Sequence, residues 1–304
     1  MTLMTTIMTP LDQDKLPLII DGGLSNVLEA QGINLNHHLW TARLLDQQPE
    51  AIIQAHLAYL QAGAQCITTA SYQASFPGFA KAGYSYPKTR NLILKSVELA
   101  KTAVQQYLEI QPEANTPLIA ASIGPYGAYL ADGSEYSGYH GVDDPTLRSF
   151  HQERLHLLAH SDADWLACET IPDLQETRIL AELLAQTNKP AWVSFSCKDS
   201  QHLNDGSPIQ QAAAYFRNHP SVFALGINCT RPEYVSGLIQ NLQATGLQQQ
   251  IIAYPNSGEN YDSQSKNWQG GNQMPTFSEM ARDWQQLGAS LIGGCCRVGP
   301  EQIK

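Results

Sequence analysis

SLIGGCC, residues 290–296, is the last of eight short apolar runs, and its place at the end of that series decides the fold. Working back from it, the runs are 250–255 (QIIAYP), 222–229 (VFALGINC), 190–197 (PAWVSFSC), 164–171 (DWLACETI), 117–124 (PLIAASIG), 65–72 (QCITTASY) and 16–23 (LPLIIDGG). Between them lie segments with apolar residues at three- and four-residue spacing, such as Ile53, Leu57 and Leu60, or Leu92, Leu94, Val97 and Leu99. That is the period of a helix with one buried face. Pro49, Pro145 and Pro232 fall where first helical turns would begin, and Asp144 is placed to cap one of them. Eight strand-then-helix units without a composition break predict a (β/α)8 TIM barrel of parallel strands. The rival is a doubly wound open sheet. Its GxGxxG fingerprint is absent, and Gly124-Pro125-Tyr126-Gly127 does not supply it.

The predicted domain organisation is a loose N-terminal tail over 1–15 and one barrel over 16–304. Only residues 299–304 remain for the helix of the eighth unit, so the last helix reads as cut short. Among 304 residues, 43% are hydrophobic and 15% charged, enough for a large core. A net charge of −10 argues against nucleic-acid or anionic-membrane partners, which need basic surfaces. No apolar run reaches the roughly 18 residues of a spanning helix, and the start lacks the basic and apolar blocks of a secretory signal. A cytoplasmic protein is expected, with its six cysteines as thiols.

In a barrel, the strands' C-terminal ends line the active site. Those ends carry Asp21, Gly22 and Gly23, Glu169 and Thr170, Asn228 and Cys229, and Cys295 and Cys296. Three cysteines therefore meet on one rim. Three thiolates from two chain segments suit Zn2+, with a fourth position open as in catalytic sites. Such a centre is a poor Lewis acid for hydrolysis, but it can hold an incoming thiol deprotonated, ready for alkyl transfer. A vicinal Cys295–Cys296 disulfide and an accidental grouping are the simpler readings of the same residues. Cys66, Cys168 and Cys197 read as small buried hydrophobes. His37 and His38 are expected to point apart on a helix, and His156 and His160 to share the face of an outer helix away from the mouth. Two connections, 124–144 and 255–275, are long enough to be binding loops.

Asp21-Gly22-Gly23, Gly226-Ile227-Asn228-Cys229 and Gly293-Gly294-Cys295-Cys296-Arg297 resemble the three signature segments of the zinc-dependent homocysteine S-methyltransferase family. Residues 123–136 (IGPYGAYLADGSEY) and 254–262 (YPNSGENYD) are similar to its S-methylmethionine-using branch. The resemblance implies zinc ligands at Cys229, Cys295 and Cys296, and Asp21 and Glu169 on the homocysteine ammonium. It further implies that Gly22 and Gly23 offer amides to the substrate carboxylate. Asn228 is counted with the substrate-binding positions, and Tyr72, with Gln73, is placed to cover the substrate thiol. The implied reaction is methyl transfer from S-methylmethionine, or S-adenosylmethionine, to homocysteine. Tyr126, Tyr129, Asp132, Glu135 and Tyr136 are candidates to receive the sulfonium. Two alternatives stand beside it: another donor or a selenocysteine acceptor within the same family, and a non-catalytic zinc- or redox-responsive thiol protein.

Overall fold

The structure is a computed structural model that describes residues 17–138, 141–258, 260–262, 267–269 and 276–304. The tail expected over 1–15, and much of the expected 255–275 loop, lie outside the described residues. All eight predicted strands are present in order: β1 Leu18–Ile19, β2 Cys66–Thr68, β3 Leu118–Ile123, β4 Trp165–Ile171, β5 Ala191–Phe195, β6 Val222–Asn228, β7 Gln250–Tyr254 and β8 Ala289–Ile292. Each pairs in parallel with its neighbours in the sheet order β1-β8-β7-β6-β5-β4-β3-β2. A parallel bridge between Ile20 and Cys66, with Asp21 N donating to Cys66 O at 3.0 Å, joins β1 to β2 and closes the barrel. A short antiparallel pair, Asn260–Asp262 with Asn267–Gln269, stands apart from it.

Parallel strands covered on both faces have little room for polar side chains, which is why β4 and β6 are buried at every position. The two faces feed two cores. Leu18, Ile20, Cys66, Ala120, Trp165, Ala167, Trp192, Phe223, Ala224, Ile252 and Leu291 fill the barrel interior, with Trp165 and Trp192 edge to face at 6.2 Å. The outward-facing residues pack against the surrounding helices. Period-two alternation thus continues each strand's inward set toward the rim: Cys66 to Thr68, Ala120 to Ser122, Ala167 to Glu169, Trp192 to Ser194, and Ile252 to Tyr254. Thr68, Ser122, Glu169 and Tyr254 line the floor of the site described below, and Ser194 bonds the Tyr254 hydroxyl at 2.5 Å.

The helix starts follow the expected signals. Pro49 opens Pro49–Gln61 and Pro232 opens Pro232–Gln243. The cap of Asp144–Ala159 is Asp143, which accepts from Thr146 N at 2.9 Å, rather than Asp144. Asp144 instead bonds Gln175 and Arg178 on the next helix, because its side chain is one residue past the position that faces the free amides. Asp173 caps Leu174–Leu184 through Glu176 N. Among the described residues, no helix is long and apolar enough to cross a membrane.

Candidate active site

At the C-terminal ends of the strands lies a cavity of about 370 Å3, lined among others by Asp21, Gly22, Gly23, Tyr72, Glu135, Tyr136, Glu169, Cys229, Cys295 and Cys296. The Sγ atoms of Cys229, Cys295 and Cys296 all lie within 4.8 Å of one another. β6 delivers Cys229 in a left-handed conformation, φ +45°, immediately after its last paired residue. The β8 end delivers the other two through Gly293 and Gly294, which are needed for packing rather than for room around a ligand. A Cβ on Gly293 would stand 2.3 Å from Ile20 Cγ1 and 2.6 Å from Asp21 O, and one on Gly294 would stand 2.1 Å from Val298 Cγ1. The β8 end is thereby pressed against the β1 end, and Gly294 N donates to Asp21 O at 3.0 Å.

Not all six cysteines are thiols. Cys229 and Cys295 are joined in a disulfide, with Cα atoms 5.4 Å apart, while Cys66, Cys168, Cys197 and Cys296 are free. The expected thiol state is corrected at these two positions, since a separation of 66 residues in sequence becomes bonding distance once β6 and β8 end on one rim. The bond is not the vicinal one. Cys296 Sγ sits 3.4 Å from Cys229 Sγ, and the Tyr136 hydroxyl lies 3.8 Å from both sulfurs. Burial pushes the Cys296 thiol up to about 12, and the Tyr136 hydrogen bond opposes that shift. Reduced, three soft donors on one wall of the cavity can hold a metal ion.

The two rim carboxylates are firmly placed. Asp21 accepts from Thr68 N at 2.8 Å and from Thr68 Oγ1 at 3.1 Å. Glu169 accepts from Ser122 Oγ and, at 3.1 Å, from the Tyr254 hydroxyl, which also receives the Trp192 indole N–H at 2.9 Å. Burial raises both acids, Glu169 to about 7 and Asp21 well above the usual carboxylate range, where the nearby Glu169 charge adds to the rise and the Thr68 bonds oppose it. Two carboxyls near each other, held among the described residues by hydroxyls and an amide, are arranged to receive a positively charged group. Arg297 is the cavity's one Arg or Lys among the described residues, and it faces Glu29 at 3.9 Å.

Several expected roles change. The Gly23 amide is used inside the chain, donating to Val298 O at 3.0 Å, so it is not offered to a substrate carboxylate. Gly22 and Gly23 are required because their Cβ positions fall 2.3 Å from Val298 O and 2.7 Å from Cys295 O. Asn228 is fully buried and does not line the cavity. Its Oδ1 accepts from Thr170 N at 2.7 Å and Ser194 Oγ at 2.9 Å, and its Nδ2 donates to Thr170 Oγ1 at 2.7 Å and reaches Cys295 Sγ at 3.8 Å. These bonds brace the rim. Tyr72 lines the cavity, its ring edge to face with Trp40 at 6.0 Å. Gln73 also lines it, but its amide spans Ala128 O at 2.6 Å and His38 O at 3.2 Å, tying two loops together. His37 and His38 occupy a turn, not a helix, with rings 4.2 Å apart. His156 and His160 are exposed on the outer helix, as expected.

The sequence reading missed Thr68, Ser122, Ser194 and Tyr254, although counting two residues on from each interior residue finds all four. It also missed Trp40 and the turn around it, which carry no periodic signal. Among the five loop candidates, Tyr126 and Tyr129 pack with Phe150 at 5.1 and 5.6 Å, and Asp132 accepts from Ser134 N at 3.0 Å. Only Glu135 and Tyr136 of the five line the cavity.

The sequence profile of the family described as homocysteine S-methyltransferase matches residues 18–304. The chain belongs to that family. It is 46% identical over 288 residues to homocysteine S-methyltransferase of Escherichia coli (strain K12), covering 94% of this chain and 93% of that one. With homocysteine S-methyltransferase YbgG of Bacillus subtilis (strain 168) it shares 45% over 296 residues, 96% and 94% of the two chains. Crystal structures of E. coli homocysteine methyltransferase MmuM in metallated and oxidized forms each superpose with a TM-score of 0.85 at 44% identity, over 95% of both chains. The chain is accordingly an enzyme of the homocysteine S-methyltransferase class, and the thiol-protein alternative without catalysis falls away.

Proposed function

We propose that the enzyme takes the methyl group from S-methylmethionine, with S-adenosylmethionine as a second sulfonium donor, and that zinc held by Cys229, Cys295 and Cys296 serves the acceptor thiol. One observation carries the reading: three sulfurs and two cation-receiving carboxylates face one cavity. The donor set fits zinc. Its sulfurs lie within 4.8 Å of one another, against the edge of about 3.8 Å required by a tetrahedron with Zn–S bonds of about 2.3 Å. Bound there, zinc would favour the thiolate form of a thiol near neutral pH.

This chain's own residues do the rest. Asp21 and Glu169 grip the homocysteine ammonium, fixing the acceptor's backbone end while its sulfur points toward the cysteines. The acceptor thiol gives its proton to solvent. Its sulfur then forms a bond to the donor methyl carbon as the bond from that carbon to the donor sulfonium breaks, and the electron pair returns to the donor sulfur. With S-methylmethionine, two molecules of methionine result. The donor carries its own leaving-group activation, so orientation and exclusion of water are the enzyme's main contributions, orientation alone being worth up to about 7–11 kcal/mol. The same reading takes 16–304 as one catalytic domain working in the cytoplasm. The test couples metal stoichiometry to methionine formation from homocysteine with the two donors compared. One zinc per reduced chain is expected, and Cys296→Ala should lose both metal and turnover. Unchanged zinc content and turnover in Cys296→Ala would sink the proposal.

A further inference from the structure

Glu135 sits in the short turn Ser134–Tyr136, where the loop after β3 crosses the cavity. Its main chain is fastened from two sides. The Glu135 carbonyl accepts from Ser196 Oγ at 2.8 Å and Asn204 Nδ2 at 3.1 Å, both beyond the end of β5. On the other side, a Cβ on Gly127 would come within 2.6 Å of Glu135 N, so the turn can lie there only against glycine. A residue held this way aims its side chain reproducibly.

That side chain is a carboxylate whose Oε2 is buried and receives no hydrogen bond from the described residues. The contrast with Asp21 and Glu169 is direct, since each of those has its donors. Burial pushes the Glu135 carboxyl up to about 7, with Asp132 adding to the rise. The Glu135 main-chain amide opposes that rise, but a buried carboxylate oxygen without a partner is still costly in the ionised form unless a cation offsets it. Among the described residues the cavity offers no Lys, and its one Arg, Arg297, faces Glu29. A cationic substrate group would supply that counter-charge. In the reaction proposed above, the acceptor's ammonium is already met by Asp21 and Glu169, and of the donor's two positive groups the sulfonium is the one that must lie beside the acceptor sulfur, on the side where the Tyr136 hydroxyl next to Glu135 is 3.8 Å from Cys229 and Cys296 Sγ.

We infer that Glu135 sets methyl-donor specificity: its carboxylate faces the donor's sulfonium and selects a cationic sulfur over a neutral thioether. The inference rests on the donor assignment under Proposed function. A sulfonium has no N–H or O–H to donate, so the attraction is Coulombic, acting through a cavity that excludes much of the water. Charge at position 135, more than hydrogen-bonding shape, is what matters.

The test uses the reduced, zinc-loaded, full-length enzyme. S-methylmethionine and methionine, which differ only by the methyl cation, are titrated calorimetrically into wild type, Glu135→Gln and Glu135→Asp without homocysteine. Glu135→Gln keeps size and main-chain contacts but removes the charge. It should reduce the preference for S-methylmethionine over methionine roughly 10- to 100-fold, with the homocysteine KM unchanged. Glu135→Asp, which keeps the charge, should retain most of that preference. An unchanged ratio in Glu135→Gln overturns the inference. So does equal weakening of both ligands, which would mean that the carboxylate reads the ammonium they share, and so does an Asp variant as unselective as Gln. A wild-type enzyme that makes no methionine from S-methylmethionine overturns the donor assignment and this inference with it. Methionine formation with a ratio insensitive to Glu135→Gln overturns this inference alone.

Discussion

Replacing Asn228 with alanine separates two accounts of the same residue. If Asn228 binds substrate, Asn228→Ala raises the homocysteine KM and leaves the protein as stable as before. The hydrogen bonds predict otherwise. Thr170 N and Thr170 Oγ1 both depend on the Asn228 amide, at 2.7 Å each, in a setting where Asn228 is fully buried and Thr170 nearly so. Ser194 Oγ keeps a second contact, to the Tyr254 hydroxyl at 2.5 Å, and is left out of the sum. Leaving a buried polar group unpaired costs about 1–3 kcal/mol, so two such groups cost about 2–6 kcal/mol before any allowance for the space vacated. At roughly 2–4 °C per kcal/mol for a chain of this size, the apparent Tm should fall on the order of 10 °C. Thermal unfolding followed by circular dichroism at a fixed scan rate reads this, because large chains often unfold irreversibly. Zinc content should fall too, since the same amide reaches Cys295 Sγ at 3.8 Å. A variant with unchanged Tm and zinc content but a raised homocysteine KM would refute the positioning role.

Glu169 gives a pH prediction with a definite sign. Its carboxyl is raised from 4.5 to about 7 by burial, against the opposing bonds from Ser122 and Tyr254, so the substrate-free fold is favoured below about pH 4.5. That advantage is lost as pH rises through 7. The difference, 7 minus 4.5 at 1.36 kcal/mol per unit, is on the order of 3 kcal/mol. Glu169→Gln should flatten the fall in stability between pH 4.5 and 7, while wild-type homocysteine affinity should rise over the same interval as the carboxylate ionises. Equal stability slopes in the two proteins would exclude this assignment. The cysteines give a count: six residues minus the two in the Cys229–Cys295 bond leaves four titratable thiols in unfolded, unreduced protein, and six after reduction. Zinc uptake should need the reduction, and full uptake at four thiols would contradict the three-cysteine site.

What could be read in the sequence follows from what each residue has to satisfy. The eight strands were legible because burial on both faces restricts them to apolar and small residues. Their ends were overrun: 65–72 reads as one run, yet only Cys66–Thr68 is paired as a strand. Beyond Thr68 the chain still looks strand-like while it turns outward to place Tyr72 at the cavity. The cysteines were legible because the strand ends assign them one rim. The Cys229–Cys295 bond was not, since a common rim does not specify which of three pairs meets. Asp143 and Asp144 are adjacent and chemically alike, so composition alone could not pick the cap. The five polar and aromatic residues of the loop after β3 were likewise equivalent until Tyr126 and Tyr129 proved to be packed on Phe150.

A further property of the rim has no signature in residue type. Thr170, Cys229 and Arg297 have φ of +64°, +45° and +65°, a region costly for residues with a Cβ, and each directly follows a residue discussed above: Glu169, Asn228 and Cys296. Thr170 is the penultimate residue of β4, Cys229 directly follows β6, and Arg297 lies in the loop after β8. At Thr170 the left-handed residue sits in a bulge between Cys168 and Ile171, after which Ile171 pairs with Phe195, whereas at Cys229 it directly follows the last strand residue. Such conformations persist only when neighbours hold them, and the holders are identifiable. Asn228 Oδ1 takes Thr170 N at 2.7 Å, Tyr254 O takes Cys229 N at 3.3 Å, and Asn26 Oδ1 takes Arg297 N at 3.1 Å. Thr170 and Cys229 thus depend on residues of β6 and β7, and Arg297 on the helix after β1. Carboxylate, thiol cluster and the β8 loop are therefore set by one connected scaffold, and strain at each turn is offset by a bond from a different element.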